Sequence, residues 1–200
     1  MAEADEGRPV VNIQGELVAL GPLRRDLVPL YHRWDNDLLT SRNRGTSLRP
    51  VTFEEAMAGY ERVASDSASS AWFTLYELST WRPIGLTWWD EINYRDRTAA
   101  YSIFIGETET RGKGYGTEAT RLMLDYAFTV LGLHNVMLIT AEFNTGGLRA
   151  YKKAGFREFG RRRQSYPVGG KLWDDIYMEC LATEFESSVL ARTFAPAEPG

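Results

Sequence analysis

The chain has 200 residues, 44% of them apolar and 25% charged, which is the composition of one globular domain with a sizeable core. Its net charge of −4 argues against a nucleic-acid binder that depends on a basic surface. The single cysteine, Cys180, excludes an internal disulfide, and with only His32 and His134 available a metal centre is not expected. No apolar run reaches the length of a membrane span and no signal-peptide pattern opens the chain, so we predict a cytoplasmic protein without a membrane partner.

The two ends of the chain differ from its middle in composition. Charged residues, Pro, Ala and Gly dominate residues 1–10 and 186–200, which we therefore expect to be weakly ordered tails. No internal repeat and no linker interrupts residues 11–185, which predicts a single domain.

Strand and helix patterns follow one another along this domain in a mixed order. Alternating or continuous apolar runs predict strands, and apolar residues three or four positions apart predict helices. The predicted strands cover residues 15–20, 71–78, 83–92, 98–106, 135–143 and a final hairpin around Gly169–Gly170, and the predicted helices cover residues 23–37, 52–65, 119–130 and 145–155. One face of the third helix carries Ala119, Leu122, Met123, Tyr126, Ala127 and Val130. A meander of strands followed by a strand–loop–helix–strand unit predicts an α/β fold with a mixed sheet.

A glycine-rich stretch, R-G-K-G-Y-G at residues 111–116, joins a predicted strand to a predicted helix. The first turn of a helix has unpaired N–H groups and a positive dipole end, and glycines let the backbone approach an anion closely. Arg111 and Lys113 add positive charge at the rim. The spacing fits neither the Walker loop, which needs Ser or Thr after Gly-Lys, nor the dinucleotide fingerprint G-x-G-x-x-G. From this loop alone, a phosphate site and a purely structural turn fit the sequence equally well.

Read as R-x-x-G-x-G, the loop resembles that of the GNAT superfamily of acetyl-CoA-dependent N-acetyltransferases. Residues 124–158 look like the second half of the same core, with a strand that ends near Asn144, a short helix with Tyr151, and an exit at Gly155–Phe156. The resemblance covers residues 15–183 and is strongest from Ala99 onward. Within the superfamily it points to the branch of spermidine and ribosomal-protein alanine acetyltransferases.

The resemblance implies a GNAT-like α/β fold, of the α+β type, in which a central and largely antiparallel sheet splays at the cofactor strand and is flanked by helices. It also implies that acetyl-CoA binds as co-substrate, with its pyrophosphate in the glycine loop and its pantetheine arm along the splayed strand. A backbone N–H of that strand would face the thioester oxygen. The matched cofactor-binding positions are Ile103, Phe104, Ile105, Arg111, Gly112, Lys113, Gly114, Tyr115, Gly116, Thr117, Asn144 and Lys153. Asn144 would serve equally well as the cap of the following helix.

The resemblance further identifies Tyr151 as the acid that protonates the leaving thiolate, because a phenol with an ordinary pKa near 10 matches a thiolate in basicity. The base that takes the proton from the amine is less well defined. Glu91 and Glu107 are the acidic residues closest in sequence to the expected site, and Glu91 is the candidate. The family often has Glu where this chain has Ala100, and that departure removes the simplest carboxylate assignment.

Other conspicuous residues fit structural roles. The arginines of residues 160–164 are expected at a solvated sheet edge, and a contact with the 3′-phosphate of the cofactor is the alternative. Trp88 and Trp89 must face opposite sides of a strand, so that one enters the core and the other is available to the acceptor cleft. Cys180 is predicted to be a buried, small apolar residue.

Together these residues predict an N-acetyltransferase that acts on a primary amine, either of a small molecule or at a protein N-terminus. Direct attack in a ternary complex is expected, because no activated Cys or Ser indicates a covalent acetyl-enzyme. Two alternatives stay open: an amino-sugar or antibiotic acetyltransferase, and a non-catalytic CoA-binding regulatory module. A homodimer is compatible with the sequence.

Overall fold

The computed structural model describes residues 8–43, 48–65 and 68–194. Within these ranges, helices pack on both faces of a central sheet in the mixed order predicted from the sequence. The elements in chain order are β1 (Ile13–Gln14), β2 (Val18–Pro22), α1 (Val28–Asp35), α2 (Leu38–Ser41), α3 (Phe53–Ser65), β3 (Ala71–Glu77), β4 (Pro83–Asn93), β5 (Thr98–Ile105), α4 (Tyr115–Asp125), β6 (Asn135–Ala141), α5 (Thr145–Ala154), β7 (Arg157–Val168), β8 (Lys171–Leu181) and α6 (Leu190–Phe194).

The described part of the chain forms an eight-stranded sheet with the order β1-β2-β3-β4-β5-β6-β8-β7. Strands β2 to β5 form a meander, and β7 and β8 form the predicted hairpin, in which Gly169 and Gly170 both have positive φ. The pairing of β5 with β6 is parallel, because α4 crosses over between them. The predicted fold class, α/β with a mixed and largely antiparallel sheet, is confirmed.

Apolar side chains alternate between the two faces of the sheet and form a core on each. The larger core lies under α4 and α5 and includes Trp89 and Phe156, both almost fully buried. The smaller core lies under α1 and α3, where the rings of Trp34 and Phe104 pack edge to face with centroids 5.8 Å apart. Trp88 packs against this second core, so the predicted division of the two neighbouring tryptophans between the faces is confirmed.

Strands β5 and β6 separate part-way along their length. Their pairing begins at Thr98 and ends where Ala100 meets Met137. Beyond that point β5 stays paired on its other side with β4, and β6 with β8. A gap therefore opens between two adjacent strands, as expected for a splayed cofactor strand, and the backbone groups along its edges lose their sheet partners.

The helix that follows the glycine loop ends in a wide π-helical turn, Tyr126–Val130. The predicted apolar face is buried at Ala119, Leu122, Met123 and Ala127. Val130, however, is 40% exposed, so its predicted place on that face is wrong. The π turn adds one residue to the helical repeat and thereby rotates the last residues out of the 3.6-residue spacing.

The C-terminal residues are more ordered than predicted. The carboxylate of Asp125 accepts hydrogen bonds from Ser187 Oγ at 2.5 Å and from the backbone N–H groups of Val189 and Leu190, both at 3.0 Å. Leu190, the first residue of α6, is buried in the larger core. Residues 187–194 therefore belong to the packed structure, which corrects the tail predicted from residue 186; residues 195–200 lie outside the described residues.

Part of the predicted N-terminal tail also lies against the domain. Residues 1–7 are outside the described residues. The guanidinium of Arg8 lies over the ring of Trp81, 4.1 Å from its centroid, and Pro9 is buried. Packed structure therefore begins before the predicted boundary at residue 11.

Candidate active site

A cavity of about 390 Å³ lies at the gap where β5 parts from β6. Its walls come from the end of β5, from the glycine loop with the first turn of α4, and from α5, and residues of α2 and just after it close one side. Of the site residues predicted from the sequence, those that line it are Ile103, Phe104, Ile105, Arg111, Gly112, Gly114, Gly116, Thr117, Asn144, Tyr151 and Lys153. The lining does not include Lys113, Tyr115 or Glu91.

The glycine loop has a backbone conformation that requires glycine. Gly112 and Gly114 have φ values of 78° and 90°, in the left-handed region that other residues rarely adopt. Gly114 is the N-cap of α4 and offers no side chain to the N–H groups of the first turn. Those N–H groups have no carbonyl partner within the helix, and they meet the cavity wall at Gly116 and Thr117. Together with the helix dipole they form an anion-binding turn.

The other side chains of the loop point in different directions. The guanidinium of Arg111 folds inward and donates from Nη2 to the carbonyl oxygen of Ile105 at 2.9 Å and to Thr40 Oγ1 at 2.7 Å. The Lys113 side chain is exposed, and the Tyr115 hydroxyl donates to the carboxylate of Glu77 at 2.6 Å. Arg111 therefore fixes the loop against β5 rather than extending its charge from the rim, where the sequence had suggested it.

The free edge of β5 faces the gap with a defined set of backbone groups. The N–H of Gly106 donates to the carbonyl of Ile84 on β4 at 2.8 Å. Because backbone polar groups alternate along a strand, those of Ile103 and Ile105 face the gap instead. The carbonyl of Ile105 is taken by Arg111. The N–H groups of Ile103 and Ile105 and the carbonyl of Ile103 therefore face the gap, where a ligand can form hydrogen bonds with them.

Helix α5 supplies the opposite wall. Asn144 caps it, since its Oδ1 accepts from the N–H of Gly147 at 3.1 Å and its Nδ2 donates to Thr140 Oγ1 at 3.0 Å. The capping role that the sequence left open is therefore present, and the same side chain also lines the cavity. Arg149 and Lys153, four residues apart on one face of the helix, add positive charge to this wall.

Tyr151 lies on α5 between the cavity and the larger core, with 9% of its surface exposed. Its ring packs edge to face against Tyr101 and Phe156, with centroid distances of 6.4 and 6.3 Å. Burial raises the pKa of Tyr151 to about 12. The phenol therefore keeps its proton throughout the neutral range, which is the state that a proton donor needs.

The structure does not bring the carboxylates predicted from the sequence to the cavity. Glu91 has a positive φ of 53° at a bulge of β4 and is exposed. The carboxylate of Glu107 accepts from Trp34 Nε1 at 2.9 Å and forms an ion pair with Arg33. Glu107 thereby holds α1 against the end of β5, and the position of Glu91 gives no support to a role as base.

Several residues line the cavity that the sequence reasoning did not nominate. Thr40, Asn43 and Thr110 lie on one side, and Gly146, Gly147, Arg149 and Ala150 lie on α5. Gly146 and Gly147 could have been nominated from the sequence, because they place small residues in the first turn of α5, as Gly116 does in α4. Nothing in the sequence marks Asn43. Its Oδ1 is buried and has no hydrogen-bond partner among the described residues, so it is available to a donor group of a bound ligand.

The part of the chain that the structure describes offers neither a cluster of metal-binding side chains nor an exposed cysteine. Residues 8–43, 48–65 and 68–194 contain no group of three His, Cys, Asp or Glu side chains placed to hold a metal ion. Cys180 is buried, as predicted, and burial raises the pKa of its thiol to about 11. Among the same residues, no helix has the length and apolarity needed to cross a membrane.

The chain is similar in sequence and structure to known acetyltransferases. Residues 18–157 match the family model of the acetyltransferase (GNAT) domain. The chain is 31% identical over 134 residues to a spermidine N(1)-acetyltransferase of Vibrio cholerae, and the aligned residues cover 67% of this chain and 76% of that protein. It is 33% identical over 112 residues to a putative ribosomal N-acetyltransferase of Bacillus subtilis, and this alignment covers 56% of this chain and 59% of that protein. A crystal structure of the Vibrio cholerae spermidine N-acetyltransferase in complex with CoA and spermine has a TM-score of 0.78 at 26% identity, covering 85% of this chain and 98% of that one.

The chain therefore belongs to the GNAT acetyltransferase family, and it is an acetyl-CoA-dependent N-acetyltransferase. Its homologues include spermidine N-acetyltransferases and a ribosomal N-acetyltransferase, which confirms the branch that the sequence indicated. The cavity at the β5–β6 gap is accordingly the candidate site for acetyl-CoA.

Proposed function

We propose that this enzyme transfers the acetyl group of acetyl-CoA to a primary amine of a polyamine. One observation carries the proposal: a single cavity brings together the anion-binding turn at Gly116, the free edge of β5 and the buried phenol of Tyr151. In this arrangement the pyrophosphate occupies the turn, the pantetheine arm pairs with the edge of β5, and the acetyl group lies between Ile103 and Tyr151.

The reaction follows from these positions as a direct attack in a ternary complex. The amine nitrogen attacks the thioester carbonyl carbon, and the oxygen that gains charge accepts a hydrogen bond from the N–H of Ile103. The carbon–sulfur bond breaks, and the leaving thiolate takes a proton from Tyr151. Cys180 is buried and carries a raised pKa, so it is unsuited to form an acetyl-enzyme.

The similarity to spermidine N-acetyltransferases supports a polyamine as the acceptor. A polyamine carries several ammonium groups, which aromatic faces and carboxylates bind well. The stacked rings of Trp72 and Trp88 and the carboxylate of Asp90 supply such groups on the face of the sheet under α1 and α3. A protein N-terminus is the second candidate, favoured by the similarity to a putative ribosomal N-acetyltransferase. A cytoplasmic location and a homodimer stay predictions.

A thiol-release assay with acetyl-CoA tests the proposal across polyamines, amino sugars, aminoglycosides and N-terminal peptides, with mass spectrometry of the products. We expect N-acetylated polyamine, with kcat/KM about tenfold or more above the other classes. A preference for amino sugars or aminoglycosides would assign a resistance or tailoring activity. Binding of acetyl-CoA without turnover of any amine would instead support a non-catalytic CoA-binding module.

A further inference from the structure

Acetyl transfer to an alkylamine needs a group that removes a proton, because an ammonium with a pKa near 10 is protonated at neutral pH and cannot attack. Neither carboxylate suggested by the sequence suits this role, since Glu91 is exposed and Glu107 is engaged by Arg33 and Trp34. A third carboxylate, Asp90, precedes Glu91 on β4 and has a different environment.

Asp90 lies at the point where the sheet opens. Its cross-strand partner on β5 is Ala100. Directly opposed residues of an antiparallel pair point to the same face, with their Cβ atoms about 5 Å apart. Ala100 is also the last residue of β5 that pairs with β6. The carboxylate of Asp90 therefore stands beside the start of the gap, and the neighbouring side chain is only a methyl group.

The cavity adjoins the face of the sheet that carries Asp90. Leu86, Trp88 and Asp90 share one face of β4 by alternation, and the first two pack on the core under α1 and α3. Phe104 belongs to that core and lines the cavity, whereas Tyr151 lines the cavity from the opposite core. Residues of both cores therefore line the cavity at the end of β5. Asp90 is not part of that lining; it lies on the same face of the sheet as Phe104, beside the point where the gap begins, and an amine can approach the gap from this face.

An aromatic surface adjoins the carboxylate. The rings of Trp72 and Trp88 stack with centroids 4.3 Å apart and planes within 4° of parallel. Trp88 Nε1 donates a hydrogen bond to Asp90 Oδ2, which fixes the carboxylate at the edge of the stacked pair. Aromatic faces attract ammonium groups, so this surface favours a cationic acceptor next to Asp90.

The surroundings of Asp90 also suit a proton acceptor. Partial burial raises the pKa of Asp90 above its ordinary value, and the negative charge of Glu91 acts in the same direction, while the hydrogen bond from Trp88 opposes them. A carboxylate with a raised pKa is a stronger base than one in water.

We propose that Asp90 is the base that takes the proton from the acceptor ammonium, directly or through one water molecule, and that the Trp72–Trp88 pair positions the ammonium beside it. This inference rests on the proposed acetyl transfer to a cationic amine. The ammonium gives one proton to Asp90, and its nitrogen bonds to the carbonyl carbon as the carbon–sulfur bond breaks. The thiolate takes the proton of Tyr151, the second proton of the nitrogen restores the phenol through solvent, and Asp90 releases its proton to water.

The test compares the pH dependence of turnover in Asp90→Asn, in Glu91→Gln and in Asp96→Asn, which changes an exposed carboxylate at the β4–β5 turn. Each variant is assayed from about pH 6 to about pH 10 with the best amine of the panel, and its acetyl-CoA affinity is measured by calorimetry. We expect Asp90→Asn to lower kcat about 10²–10⁴-fold at neutral pH, to recover as the pH approaches the pKa of the amine, and to bind acetyl-CoA normally. Asp96→Asn should match the wild type.

Several results would overturn the assignment. One such result is an Asp90→Asn enzyme whose kcat follows the wild-type pH profile within about threefold. Another is a raised KM with unchanged kcat, which would make Asp90 an acceptor-binding residue. A pH-dependent loss confined to Glu91→Gln would move the base to Glu91. Absence of turnover of any amine by the wild type would refute the proposed function itself, whereas turnover with an unaffected Asp90→Asn enzyme refutes only the role of Asp90.

A second variant separates loss of the base from loss of the fold. Ala100→Glu added to Asp90→Asn returns a carboxylate to the same face of the same cross-strand pair. We expect kcat of the double variant to exceed that of Asp90→Asn by about tenfold or more. A double variant that binds acetyl-CoA but stays as inactive as Asp90→Asn would contradict a role for a carboxylate at this point of the sheet.

Discussion

The guanidinium of Arg111 donates to the carbonyl oxygen of Ile105, with 2.9 Å between Nη2 and the oxygen, and so joins the glycine loop to the free edge of β5. The same nitrogen donates to Thr40 Oγ1 at 2.7 Å, and Thr40 is buried in α2. One side chain therefore sets the distance between the turn that is suited to a pyrophosphate and the strand edge that is suited to the pantetheine arm.

Arg111→Gln should lower both stability and cofactor affinity, because it leaves the Ile105 carbonyl and the Thr40 hydroxyl without their charged donor. We expect a loss of about 1–3 kcal/mol in the free energy of unfolding and about a tenfold rise in the acetyl-CoA Kd. Urea unfolding and calorimetry measure the two. The control is Arg82→Gln, which breaks an exposed ion pair with Glu109 and should leave the free energy of unfolding unchanged within the error of the measurement. An unchanged Kd in Arg111→Gln would contradict a role in shaping the site.

Gly116→Ala should weaken acetyl-CoA binding without harming the fold. Gly116 has ordinary helical geometry, and a methyl group added there would meet no protein atom within 4 Å, so it would stand in open space at the cavity wall. Since Ala favours a helix over Gly by about 1 kcal/mol, stability should hold or rise. We expect the Kd for acetyl-CoA to increase about tenfold or more, because the methyl group obstructs an anion over the first turn.

Gly59→Ala is the matched control for that change. Gly59 lies within α3, where an added methyl group also has no neighbour within 4 Å, and it is not part of the cavity lining. It should give the same gain in stability with no change in affinity. Equal acetyl-CoA affinities for the two variants would refute the placement of the pyrophosphate.

Asp125 should make the docking of α6 sensitive to acid. Burial acts to raise the pKa of Asp125, but hydrogen bonds from Ser187, from the backbone of Leu190 and Val189 and from Thr129 together lower it. A carboxylate with a lowered pKa in the folded state stabilises the protein above its unfolded pKa near 3.9, and this contribution is lost as the pH falls through the folded value.

Asp125→Asn should therefore lower the free energy of unfolding by about 1–3 kcal/mol at neutral pH and by less in acid, so that stability depends less steeply on pH below about pH 4. Urea unfolding across that range measures the effect, with Asp96→Asn as the exposed control. Parallel pH profiles for Asp125→Asn and the wild type would contradict the claim that the ionised carboxylate of Asp125 stabilises the folded protein.

The parts of the site that follow from local chemistry were predictable from the sequence. Glycines directly before a helix suit an anion-binding turn, and the family resemblance favoured that turn over a purely structural one. Asn144 and Tyr151 have fixed offsets within one short segment. The splay of β5 was predicted through the family resemblance, since neither strand carries a residue that forbids pairing.

The features that the sequence did not predict depend on contacts between residues far apart in the chain or on local irregularities of the backbone. The bulge in β4 gives Glu91 a left-handed backbone and turns it out to solvent, which regular alternation does not reveal. Helix α6 looked like a polar tail, because the carboxylate that caps it belongs to Asp125, more than sixty residues earlier. Arg111 looked like a rim charge, because its partner Thr40 lies on a helix far back in the chain.

Tyr151→Phe is the change that most directly connects this cavity to acetyl transfer. It removes one hydroxyl and leaves the packing of the ring on Tyr101 and Phe156 in place. Because the pKa of Tyr151 is raised to about 12, the phenol should serve as a proton donor up to at least about pH 10. Tyr177→Phe, which removes a hydroxyl from β8 outside the cavity lining, is the control.

The deciding measurement is kcat for thiol release by Tyr151→Phe, determined together with the acetyl-CoA Kd from calorimetry. We predict a Kd within about twofold of the wild type and a kcat that falls about 10²–10⁴-fold, while Tyr177→Phe changes neither. A fall in kcat of less than about tenfold, or a weakened Kd with unchanged kcat, would contradict the role of Tyr151 as the acid that protonates the leaving thiolate.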